Sequence, residues 1–134
     1  MTTTLTSERT LRLSLPVPPS VNHAWRTGKY GQTYRVRACQ QFAALVRLAA
    51  IEAGWPCGYR LAPPISVSVW LTKPATWKKR LDLDNVRKVL YDALALTFGF
   101  DDDEIGEDHG YKGKGAIPKP ALVVEIKGRL APAR

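Results

Sequence analysis

Cysteine and histidine are scarce in this 134-residue chain: Cys39 and Cys57 are its only thiols, His23 and His109 its only imidazoles. Two cysteines cannot build a disulfide framework, nor a four-ligand zinc site by themselves. The histidines lie far apart in sequence, which weakens a Cys/His zinc centre and a serine or cysteine triad together. Long apolar runs are also missing. The longest, Phe42–Val46, is cut by Arg47, well short of the ~20 residues needed to cross a bilayer. The opening MTTTLTSERT is polar and lacks the apolar centre of a secretory signal, so a reduced, cytoplasmic protein is expected. With 45% hydrophobic and 24% charged residues, the composition is globular and excludes a disordered, collagen-like or fibrous chain. The length suits one domain and is short for two.

Acidic residues are few and unevenly placed. The chain carries 20 Lys and Arg against 12 Asp and Glu, a net charge of +8. Nine of the acids fall between Asp82 and Asp108, a window that holds only Arg87 and Lys88 as bases. Outside it, 18 basic residues face 3 acids, a balance of +15. A basic body attracts phosphates and releases counterions, and an acidic island can hold a cation; together they suit an enzyme acting on a polyanion through metal ions. A soluble basic domain with a solvated acidic loop has the same charge pattern.

Hydrophobic periodicity divides the chain. Leu11, Leu13 and Leu15 alternate with Arg12 and Ser14 as a half-buried strand, ended by the closely spaced prolines of PVPPSVN. His23–Tyr34 reads as a loop or short hairpin. From about Arg37 to Ala53 the apolar spacing is helical, and Gly54 and Pro56 stop it. Ile65–Leu71 alternates as a second strand, and a second helix begins with Asp84 as its N-cap and Val86, Val89, Leu90, Ala93 and Leu94 as its apolar stripe. Phe100–His109 reads as an acidic loop entering a strand that ends near Tyr111, and Ala121–Ile126 as the last strand. Residues 1–9 and 129–134 are expected to be tails around a single domain over 10–128. Strands with two segregated helices predict an α+β fold with a mixed sheet.

Two segments carry chemistry. In the pattern D-x-D-N-x-x-K, Asp82 and Asp84 flank one residue in an extended approach to the helix, so both can point to one side. Lys88 is four residues after Asp84, on the same face of the first turn. Two carboxylates beside a positive helix N-terminus suit Mg²⁺ and a phosphate oxygen. A plain N-cap with an Asp84–Lys88 surface pair explains those two residues but neither Asp82 nor the acidic loop that follows. That loop, FDDDEIGED, is no EF-hand: counted from Asp101, position five is Ile105 and position twelve Lys112, neither a suitable calcium ligand. Either it is a solvated turn, or one of its carboxylates completes a site begun by Asp82 and Asp84. Three carboxylates packed together repel, and a divalent ion removes that penalty. If Ile105 begins a strand and enters the core, period-two alternation puts Asp103 on its face and Asp102 on the other. Asp102 is then the expected third carboxylate, with Asp103 as the alternative.

Pro18-Pro19-Ser20-Val21-Asn22, LDLDNVRKVLYDAL and GFDDDEI together resemble the RusA-like crossover-junction endodeoxyribonucleases, the small Holliday junction resolvases. With the strands between them, the resemblance covers roughly Leu11–Gly128. It implies a homodimeric, Mg²⁺-dependent nuclease, with Mn²⁺ able to substitute, that nicks four-way DNA junctions in symmetric pairs during recombination and repair. Asp82 and Asp84 match the motif aspartates, Lys88 the essential lysine, and the second Asp of the DD pair the third ligand. Three aspartates in a row leave that ligand as Asp102 or Asp103. Arg80-Leu81 stands where some relatives carry aromatics, so junction handling differs there. Arg35, Arg37, Lys73, Lys78, Lys79, Arg80, Lys112 and Lys114 are candidates for DNA-backbone contact. Trp25, Trp70 and Trp77 are candidates for base stacking or for core and interface packing. Asn85 is a candidate for fixing the loop, Asn22 matches the family block, and no catalytic role is assigned to His23 or His109. The competing expectations are a metal-dependent nuclease for other branched DNA and a non-catalytic DNA-binding protein.

Overall fold

The computed structural model describes residues 8–18, 25–27, 33–35, 37–77 and 83–134, with the short strands at 25–27 and 33–35 and residue Asn85 described by backbone alone. In chain order the elements are β1 (Glu8–Leu15), β2 (Trp25–Thr27), β3 (Thr33–Arg35), α1 (Arg37–Glu52), β4 (Tyr59–Pro74), α2 (Leu83–Phe98), a 3-10 turn (Asp102–Glu104), β5 (Ile105–Gly115) and β6 (Ala121–Pro132). The main sheet has the order β1-β6-β4-β5. β6 runs antiparallel to β1 and β4, while β5 runs parallel to β4. Parallel neighbours need a crossover, and α2 supplies it. The fold is α+β with a mixed sheet, as the periodicity predicted. No helix among the described residues is long and apolar enough to cross a membrane.

Alternation builds the core. Leu11, Leu13 and Leu15 of β1, Ile65, Val67, Val69 and Leu71 of β4, and Leu122, Val124 and Ile126 of β6 are buried on one side of the sheet. Onto them pack Phe42, Val46 and Ala50 of α1 and Val86, Val89, Leu90, Ala93, Leu94 and Phe98 of α2. Each fully buried aliphatic side chain contributes about 1.5–3 kcal/mol relative to exposure. The other sheet face is half-buried to exposed. There Trp70 stacks on Tyr111 with centroids 5.4 Å apart, and the Arg12 guanidinium lies 5.3 Å above the Trp70 ring.

Both helices end on a glycine with positive φ. Gly54 (φ 95°) lets Trp55 N donate to Ala50 O, and Gly99 (φ 70°) lets Phe100 N donate to Ala95 O. A residue with a Cβ is strained in that conformation, so these glycines decide where the chain leaves each helix. After Gly99 it turns directly into the acidic segment.

Four strand boundaries differ from the sequence reading. β4 begins at Tyr59 instead of Ile65, its ladder with β6 irregular between Ala62 and Ser66, where Pro63 and Pro64 remove donors without ending the strand. β6 continues to Pro132, and Ala133 N donates to Gly58 O, so 129–134 is not the short tail expected. Buried Leu61 fills the space beside Gly128: a Cβ at 128 would stand 2.6 Å from its Cγ. Glu8 and Arg9 likewise pair with Arg129 and Gly128 rather than belonging to a leading tail. β5 reaches Gly115 as an edge strand with no buried side chain, which is why no apolar alternation announced it. The stretch read as loop or hairpin holds β2 and β3, paired with Trp25 opposite Arg35.

Candidate functional site

α2 begins at Leu83, so Asp84 lies inside its first turn and not at the cap. Its Oδ1 stands 3.8 Å from Arg87 Nη1, an i,i+3 pair that the sequence reading had assigned to Lys88 at i,i+4. Asp84, Arg87, Lys88 and Tyr91 follow helical spacing and form one stripe along α2. Facing them is a shallow cleft of about 330 Å³, completed by Asp102, Ile105 and Asp108. The crossover therefore brings the first turn of α2, the 3-10 turn and β5 to one place.

The 3-10 turn changes the reason for preferring Asp102. Ile105 does open β5 and packs against the core, but residues 102–104 form a turn, so strand alternation does not govern them. Asp102 lines the cleft, and Asp103 is not among its lining residues. Burial pushes the Asp102 carboxyl above its usual range, and the negative charges of Asp92, Asp101 and Asp103 push it further, against the opposing pull of Lys88. Its hard oxygens, with those of Asp84, fit a divalent ion of the Mg²⁺ type, and a cation there would offset the repulsion among these acids. Among the described residues no group of three His, Cys, Asp or Glu is gathered closely enough to hold a metal ion.

The turn is tied from behind. Asp101 N donates to Glu104 Oε1 (2.9 Å), and Glu104 N donates to Asp101 O (2.9 Å). Arg134 Nη2 donates to both Glu104 carboxylate oxygens (3.1 and 3.2 Å), and Arg60 Nη1 stands 3.8 Å away. The backbone N–H of Asp101, helped by Arg134 and Arg60, holds the Glu104 carboxyl below its usual range. Within DDDE the roles thus divide: Asp102 lines the cleft and Glu104 anchors the turn.

Three residues that the sequence reading did not single out belong to the cleft. The Tyr91 hydroxyl donates to Asp108 Oδ1, and Arg87 Nε lies 3.6 Å from the same oxygen. Burial and the Asp108 contact raise the Tyr91 pKa, so the phenol remains a donor. Arg87 and Tyr91 were accessible from the helical spacing that starts at Asp84. Asp108 was not, because only the parallel register of β5 on β4 places it there.

Lys73, Lys112 and Lys114 gather on one side of the β4–β5 ladder. In that register Asp108, Gly110 and Lys112 sit opposite Val67, Val69 and Leu71, whose side chains face the helices, and Lys114 sits opposite Lys73. Alternation therefore places the three lysines on the cleft side of the sheet. His109 takes the other side, 3.3 Å from Glu107. Arg37 opens α1 and is exposed. Trp70 is half-buried on the helix-free face, and Trp77 lies in the turn after β4. Asp82, Asn22, His23, Lys78, Lys79 and Arg80 lie outside the described residues, as do the side chains of Trp25, Arg35 and Asn85.

Fold and cleft together define a small two-layer α+β domain with carboxylates and cations gathered at the start of its crossover helix. A sequence model of endodeoxyribonuclease RusA matches residues 16–127, and the chain belongs to that family. It is 30% identical over 107 residues to the crossover junction endodeoxyribonuclease RusA of Escherichia coli O139:H28, covering 75% of this chain and 79% of that protein. The same-named protein of Escherichia coli K12 is 30% identical over 104 residues, covering 72% and 77%. Among solved structures, a 2C-methyl-D-erythritol 2,4-cyclodiphosphate synthase from Plasmodium vivax aligns over 96% of this chain and 100% of its own. Its TM-score of 0.41 and 10% identity are too low to carry an argument.

Proposed function

We propose that this protein is a Mg²⁺-dependent, structure-specific endonuclease of the cytoplasm that resolves four-way DNA junctions by paired nicks, in recombination and repair. The observation that carries the reading is the single cleft in which Asp84, Asp102 and Lys88 meet. Asp84 and Asp102, with Asp82 from the same motif, would hold the cation. Bound there, Mg²⁺ or Mn²⁺ would supply Lewis-acid charge at the scissile phosphate and would lower the pKa of a water. Lys88 offsets the extra negative charge that the phosphate gains as it is attacked. Lys73, Lys112 and Lys114 extend positive charge from the cleft along the sheet for the flanking backbone, and Arg35, Arg37, Lys78, Lys79 and Arg80 are further candidates for it.

The test is cleavage of a synthetic mobile four-way junction, with duplex, flapped and single-stranded controls, with and without Mg²⁺. Nicks paired across the junction and absent without Mg²⁺ are expected. Equal cutting of flapped DNA would mean another branched substrate, and binding without nicking would mean a DNA-binding protein only. Junction affinity should fall steeply with salt, by about 10³-fold or more between 50 and 200 mM if about six phosphates are contacted. A nearly flat dependence would count against the basic track.

A homodimer presents two identical sites to a junction with paired strands. The outer face of the helical layer supports self-association: Leu45, Leu48 and Ile51 of α1 and Leu96 of α2 are exposed, Leu48 by 53% and Leu96 by 71%. Light scattering is expected to give about twice 14.9 kDa. Leu48→Glu should shift the mass to the monomer with little change in monomer stability, since the side chain already meets water. A fully active wild-type monomer would refute the dimer.

A further inference from the structure

Arg87 precedes Lys88 and follows Asp84, yet it behaves unlike either. The Asp84 side chain is 89% exposed, whereas that of Arg87 is 26% exposed. Its guanidinium turns inward across β5. Nη1 stands 3.8 Å from Asp84 Oδ1, and Nε stands 3.6 Å from Asp108 Oδ1. Nε is buried with no hydrogen-bond partner among the described residues, and those two carboxylates offset its charge by proximity. Asp108 is the anchored end of the pair, because the Tyr91 hydroxyl donates to the same Oδ1.

Gly110 makes this arrangement possible. A Cβ there would fall 2.2 Å from Arg87 Nη2 and 2.6 Å from Leu83 Cδ2, distances at which atoms cannot coexist. Two residues of α2, Leu83 and Arg87, thus converge on Gly110 of β5. An ordinary i,i+3 surface pair would stabilise the helix by a few tenths of a kcal/mol and need nothing from the strand. It would explain neither the buried Nε, nor the second carboxylate, nor the clearance at Gly110.

We infer that Arg87 is a positioning residue, a strap that seats the first turn of α2 on β5 at Gly110 and thereby sets where Asp84 stands relative to Asp102. The inference rests on the metal-dependent reading of the cleft. Outer partners of metal ligands act by fixing ligand orientation, and their loss typically costs ~10–100-fold in metal affinity. Tyr91 and Asp108 hold the far end of the strap, and Gly110 is its bed.

Two variants separate geometry from charge, because both keep the cleft's charge unchanged. Gly110→Ala displaces the guanidinium, and Arg87→Lys keeps the cation but loses the fork that reaches both carboxylates. The readout is calorimetric titration of the full chain with Mn²⁺, alongside melting temperature and metal-free junction binding. Each variant should bind Mn²⁺ at least tenfold more weakly, while junction affinity without metal stays within about twofold. The double variant should lose less than the sum of the two single losses, since Gly110 acts partly through Arg87 and partly through Leu83. If Arg87→Lys binds Mn²⁺ as tightly as the wild type, the strap is merely structural and the inference is overturned, whether or not Gly110→Ala folds. Full additivity of the two losses would overturn it as well. If the wild-type protein itself shows no Mn²⁺ binding that Asp102→Asn removes, the metal reading fails, and this inference with it.

Discussion

Asp102→Asn is expected to lower Mg²⁺-dependent junction cleavage by about two orders of magnitude or more, whereas Asp103→Asn should retain most of it. The neighbouring carboxylates differ by environment. Asp102 lines the cleft, is pushed toward protonation by burial and by three nearby acids, and feels Lys88 across the gap. Asp103, equally exposed on the same turn, does not line the cleft. Losing a ligand that supports a few kcal/mol of transition-state stabilisation corresponds to a factor of about a hundred or more. Single-turnover cleavage at saturating protein reads the chemical step directly. A result with the two variants exchanged would move the ligand by one residue.

Asp84→Asn and Asp82→Asn should abolish cleavage while leaving junction affinity equal to or tighter than wild type. Each substitution removes a negative charge from the neighbourhood of a phosphate, so binding has nothing to lose and some repulsion to shed. Asp84 suits the experiment because its side chain is 89% exposed, and Asp108 still faces the Arg87 guanidinium when the amide replaces it. Lys88→Ala should also lose most activity, through poorer stabilisation of the charge that builds on the phosphate. Nicking by either Asp variant at the wild-type rate with Mg²⁺ would show the metal assignment to be wrong. A Lys88→Ala protein with full activity and only a slightly lower melting temperature would make Lys88 a surface residue and no more.

Where one face of an element is buried and the other is not, the sequence alone was enough. The alternation of Leu11, Leu13 and Leu15, the run Ile65–Leu71, and the stripe from Val86 to Leu94 each record the period of their element. Gly54 marks the end of the first helix because positive φ is a local demand. The D-x-D-N-x-x-K segment and the DDD run were likewise legible as chemistry, since clustered carboxylates beside a lysine need no fold to be noticed.

Only the tertiary structure decided the rest. β5 buries no side chain and so leaves no hydrophobic period; its extent comes from ladder bonds to β4. The continuation of β6 beyond Ile126 depends on Tyr59–Ala62 lying alongside, a contact about seventy residues away in the chain. The choice within DDDE turned on a 3-10 turn held by Glu104 and Arg134, which strand periodicity cannot represent. Asp108 reached Arg87 and Tyr91 because a parallel pair must be joined by a crossover, and the crossover helix carries the motif back over the strand that follows it. Local periods encode which face of an element is buried. Which faces meet, and in what register, follows from pairing between distant segments, and the completed cleft is a product of that pairing.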